Sequence, residues 1–132
     1  MARALKMVHE SDPRQLILDA TRGFVSGVKV LGARVLIATY IRPEKTQGGI
    51  IITDKSRDED NWQGKTGLIV AMGPLAFAND ADHNWGDLKP TVGDWVLTNV
   101  GDTRRLTLGA NSCRFVEDVN VQAIVSDPDS AW

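Results

Sequence analysis

Lys45-Thr46-Gln47-Gly48-Gly49-Ile50-Ile51-Ile52 runs from polar residues through two glycines onto three consecutive β-branched side chains. A second polar run, from Thr53 to Gly64, follows at once. Adjacent glycines loosen the backbone, whereas Ile-Ile-Ile is stiff at χ1 and favours an extended strand. Two readings compete. In one, Ile50–Ile52 is an ordinary core strand. In the other, it is a short apolar strand on flexible polar arms, presented to a groove on another protein.

The sequence around this stretch is built mainly of β signals. Val28-Lys29-Val30-Leu31 leads into Arg34-Val35-Leu36-Ile37-Ala38-Thr39-Tyr40-Ile41, which stops before Pro43. Thr66–Met72 is bounded by Gly64 and by Gly73-Pro74, and Val92–Thr98 follows Pro90. Arg105–Leu108, Cys113–Val116 and Val121–Val125 complete the set. Short apolar runs punctuated by Gly, Pro, Asn and Asp predict an all-β barrel or sandwich. Two stretches stand apart from it, Glu44–Gly64 and Leu75–Pro90. Loops of that length in a small domain commonly carry function.

Residues 1–27 read differently. Asp12 is a good helix cap, Pro13 suits the first helical position, and Leu16, Ile17 and Ala20 recur at helical spacing. The expectation is a helix of about two and a half turns ending near Gly23, marginal unless it packs on something. Residues 1–34 are mildly basic: Arg3, Lys6, Arg14, Arg22, Lys29 and Arg34 face Glu10, Asp12 and Asp19. The arm, residues 1–27, therefore reads as separate from a β domain over 28–126 and a tail over 127–132.

The 132 residues carry a net charge of −2, so no global field draws nucleic acid or an anionic membrane. Cys113 is the only cysteine, which excludes an internal disulfide and points to a buried, inert thiol. No window approaches a membrane span, and the start lacks a signal-peptide core, so a cytoplasmic protein is expected. His9 and His83 sit in no nucleophile setting, and no Gly-rich phosphate loop occurs. Asp80-Ala81-Asp82-His83-Asn84 imitates the opening of a calcium loop, but Trp85 stands where that pattern needs glycine. The reading is of a non-enzymatic protein without metal or cofactor, engaged in binding or assembly.

The order of these pieces resembles the GroES-type co-chaperonin family, from about Val30 to about Val125. Arg34-Val35-Leu36-Ile37 is similar to the family's first strand, and Lys45–Thr53 to its mobile loop, where a Gly-Gly pair precedes three aliphatic residues. Gly64–Gly73 resembles the next strand, Val92-Gly93-Asp94-Trp95-Val96 the family's Val-Gly-Asp element, and Phe115–Val125 the closing segment. The resemblance implies a GroES-like irregular β-barrel with a mobile loop (44–64), a roof segment (75–90) and a short helical extension. It implies a homo-oligomeric, seven-membered ring that caps a GroEL-type chaperonin and assists protein folding. Gly48, Gly49, Ile50, Ile51 and Ile52 would then enter the chaperonin's apical groove. Val28, Val30, Val35, Leu36, Val121, Ala123, Ile124 and Val125 would form the seam between subunits.

The family begins close to its first strand, whereas here an arm of about twenty-seven residues precedes it. The roof segment is long, and the tail ends on Trp132. These departures keep open an alternative, in which a GroES-like barrel serves as a decoration or cement subunit of a viral capsid or similar assembly, located in the virion.

Overall fold

Asp12 opens the first element as the sequence requires. In the computed structural model, which describes residues 12–40, 66–81, 84–98, 104–108 and 111–128, α1 spans Pro13–Val25. The Arg14 amide donates to Asp12 Oδ1 at 3.0 Å, and Pro13 fills a first-turn position that needs no amide proton. The helix runs two residues past Gly23, because Val25 has an apolar surface to cover. Ile17, Leu18, Val25 and Val28 pack against the core. Thr21 is buried at the contact and returns its hydroxyl to the Ile17 carbonyl at 2.7 Å, so no polar group is stranded. Packing on the sheet supplies the stability that thirteen residues of helix lack alone.

Among the described residues six strands follow: β1 (Arg34–Thr39), β2 (Thr66–Met72), β3 (Trp95–Thr98), β4 (Arg104–Leu108), β5 (Asn111–Glu117) and β6 (Val121–Val125). They form one sheet in the order β4-β5-β1-β2-β3-β6, with every neighbouring pair antiparallel. The class is all-β with one short helix. Val92 lies outside β3. Thr91–Asp94 is a turn instead, in which Gly93 takes φ 96° and the Thr91 amide donates to Asp94 Oδ2 at 2.9 Å. The turn still serves the sheet, since the Gly93 amide reaches the Ile69 carbonyl at 2.9 Å.

Both faces of the sheet are covered. One carries Leu36, Ala38, Tyr40, Leu68, Val70, Trp95 and Cys113 under α1, with the Tyr40 and Trp95 rings edge-on at 5.4 Å. The other carries Val35, Ile37, Ile69, Val96, Val116 and Val121 under Phe77 and Trp85. Gly73 closes the junction between β2 and the turn before β1: its amide donates to the Arg34 carbonyl at 2.8 Å, and a Cβ there would meet the Gly32 carbonyl oxygen. Among the described residues, no helix is long and apolar enough to cross a membrane.

Cys113 is fully buried, and burial pushes its thiol up to about 11. Between pH 9 and 11 the native state keeps a proton that the unfolded chain releases. Stability should therefore fall with rising pH over that window. Cys113→Ala should flatten this part of the pH–stability curve, and the native thiol should resist a water-soluble thiol reagent at pH 7 until the chain unfolds.

Candidate assembly edge

The outer strand β6 is the structural centre of the candidate site. It pairs with β3 through Trp95–Val125, Val96–Ile124, Leu97–Ala123 and Thr98–Val121, with a register shift that leaves Gln122 as the extra residue. Among the described residues its other edge pairs with no strand. Val121 is buried in the core, while Gln122, Ala123 and Ile124 are exposed, Ile124 at 45%. An open edge bearing apolar side chains invites pairing with another chain, and natural proteins usually cover such edges.

A groove of about 420 Å³ runs beside this edge. Val121, Ala123 and Ile124 form one wall, and Trp85, Leu88 and Pro90 the other. The second wall comes from the segment expected as a roof. Its described parts, 75–81 and 84–90, are turns, not a hairpin of strands, and they are held down on the sheet. Phe77 is buried and sits edge-on to Trp85, with ring centres 5.1 Å apart. Asn79 Oδ1 accepts from the Trp85 amide at 2.7 Å, and Asn84 Oδ1 accepts from the Gly86 amide at 3.0 Å.

Phe77 has φ 57°, a left-handed conformation that a bulky side chain rarely adopts. Asp118 holds it there: its buried carboxylate accepts from the Phe77 amide at 3.0 Å, while its own amide donates to the Ala33 carbonyl at 2.9 Å. From sequence a carboxylate in a turn between strands reads as solvated, so nothing there marks Asp118 as buried. Asp118→Ala should strand a buried amide and cost about 1–3 kcal/mol, read as a fall in the urea midpoint. Trp85 fluorescence should shift to the red in the native baseline as the groove wall loosens.

Of the expected seam residues, Val28 is half-buried against the core and Val30 is buried at 7%. Residues 28–31 form neither strand nor helix, and Leu31 is 68% exposed. Val35 and Leu36 lie wholly inside the chain at 0%, on a strand flanked by β5 and β2. Neither offers a neighbour a backbone edge or a side chain, because the sheet order makes β1 an inner strand. Val121 is largely consumed by the core, which leaves Ala123, Ile124 and Val125 as the accessible part of β6. Gly48, Gly49, Ile50, Ile51 and Ile52, with the whole of 44–64, lie outside the described residues.

The family model described as the chaperonin 10 kDa subunit (Cpn10) matches residues 27–125. The chain belongs to the chaperonin 10 family. Among its relatives is the co-chaperonin GroES of Solidesulfovibrio magneticus, 39% identical over 74 residues, which cover 54% of this chain and 69% of the relative. The chaperonin 10 match begins at Gly27, just beyond α1, and ends on Val125, the last residue of β6. The helix is therefore an addition to the chaperonin 10 domain, packed on its core.

Proposed function

We propose that this chain is a co-chaperonin ring subunit, which caps a GroEL-type chaperonin through Gly48, Gly49, Ile50, Ile51 and Ile52. Membership of the chaperonin 10 family carries this reading, and the open edge of β6 supports the ring. Residues 28–31 of one subunit lie along Ala123–Val125 of the next. Such a head-to-tail contact uses two different patches, so it propagates round a circle and closes when the rotation suits.

The energetics of capture follow from the isoleucine triplet. Burying three isoleucines contributes roughly 1.5–3 kcal/mol each. Ordering a dozen residues costs about 1–2 kcal/mol apiece in backbone entropy, which added backbone pairing offsets in part. One segment alone binds weakly. Seven at matched spacing convert weak contacts into an avidity that still permits release, and a lid that must leave in each cycle needs that balance.

The test is co-migration of the purified chain with a GroEL-type chaperonin in the presence of nucleotide. The alternative, a cement subunit in a capsid-like assembly, draws on α1 as an addition beyond the family span. Removing residues 1–26 separates the two: a lid keeps its chaperonin binding, whereas a strapping protein loses its assembly.

A further inference from the structure

We propose that α1 carries a second docking face, turned away from the sheet, and that its occupant is residues 1–10 of the same chain, folded back as an antiparallel amphipathic helix. Residues three and four apart line up along a helix, and α1 presents three such stripes. Ile17, Leu18, Thr21 and Val25 face the core. Gln15, Asp19 and Arg22 make a polar stripe, in which Gln15 Nε2 and Arg22 Nη2 donate to Asp19 Oδ1 at 2.9 and 3.1 Å. Leu16, Ala20 and Phe24 make a third stripe, free of charge and directed away from the core, with Leu16 56% and Phe24 51% exposed. Gly23 lies beside it, where an added Cβ would meet no atom within 4 Å. A helix that packs on one partner needs one apolar face. The second face calls for a second partner.

Residues 1–11 lie outside the described residues, and their sequence fits the vacant role. Met1, Ala4, Leu5 and Val8 follow the i, i+3, i+4, i+7 spacing of one helix face, while Arg3, Lys6 and Glu10 fall together on the opposite face. A helix this short is not stable alone in water, so the segment needs an apolar surface to lie on. The link to α1 decides which surface. Asp12 leaves the helical region with ψ 117°, and Pro13 disfavours helix at the residue before it, so one helix cannot run through this point. From Glu10 to Pro13 the chain takes three Cα steps, at most about 11 Å, and packed helix axes lie about 8–10 Å apart. Links of this length join antiparallel helices. Folded back, Val8 comes level with Leu16, Ala4 with Ala20, and Met1 approaches Phe24. The small residues at the middle level let the two backbones come close. Docked in this way, the segment buries its own apolar face and keeps none for strapping a neighbour.

Amide hydrogen exchange of the full chain, read by mass spectrometry on peptides covering residues 2–10, tests the docking. Relative to intrinsic rates, exchange there should be slower in the wild type than in Ala20→Glu by roughly tenfold or more. Glutamate keeps helix propensity at that exposed position and puts a charge in the middle of the stripe. Leu5→Glu, on the other side of the contact, should release the same peptides to a similar extent. Equal exchange in the wild type and either variant would overturn the proposal. Whose α1 is covered is read from Ala4→Cys/Ala20→Cys, since the native Cys113 is buried. Chains made with light and with heavy nitrogen are unfolded together, refolded and joined by a short bifunctional thiol reagent. Peptides linked through positions 4 and 20 should carry a single isotope throughout. Links that mix the isotopes would put the segment on a neighbouring copy and overturn the same-chain assignment, as would the absence of any link between the two positions.

Discussion

Ile51→Asp should abolish binding to a GroEL-type chaperonin while leaving the subunit folded and its ring assembled. A carboxylate in the middle of the triplet removes one buried isoleucine and adds a charge that must be desolvated on capture, a combined loss of several kcal/mol per segment. Because every subunit of the ring carries the same change, the losses compound. The apparent affinity should fall on the order of a thousandfold or more. Size-exclusion chromatography with nucleotide reads the loss of co-migration, and circular dichroism with sedimentation velocity reads the intact ring. Unaltered capture would remove Ile50–Ile52 as the anchor and return the triplet to the role of a core strand.

Ile124→Asp should do the converse. Ile124 is exposed within its own chain and stands on the open edge of β6 beside the groove. The isolated subunit should therefore lose no more than about 0.5 kcal/mol of stability. On the proposed seam the substitution puts a charge into each repeated contact, so the ring should dissociate. Sedimentation velocity should show monomers where the wild type shows the ring, and chaperonin binding should be lost for want of avidity. The same substitution at Leu36 would instead unfold the chain, since Leu36 is 0% exposed in the core. That contrast distinguishes an edge residue from a buried one better than either variant alone.

Much of the fold was legible because β-branched and apolar runs stop at turn residues. Thr66–Met72 and Val121–Val125 coincide with β2 and β6, and Asp12-Pro13 starts α1 where a cap and a proline belong. Strand pairing was not legible. Arg34–Thr39 reads equally well as an edge or a central strand, and only the registers with β2 and β5 place it inside. For that reason a seam through Val35 and Leu36 reads plausibly from sequence, whereas both side chains are 0% exposed on an inner strand. Nor was the anchoring of 75–90 legible: Phe77 and Trp85 pin the described parts of that segment to the sheet. Arg114 escaped notice as a buried cation because burial depends on which face of β5 the core covers, a property of the assembled sheet.

The decisive measurement is native mass spectrometry of the purified chain mixed with a GroEL-type chaperonin, with and without nucleotide. The account predicts a seven-membered ring that joins the chaperonin when nucleotide is present and fails to join it when Ile51 is aspartate. A well-folded wild-type chain that never associates with chaperonin under those conditions, or an Ile51→Asp ring that associates as the wild type does, would contradict it.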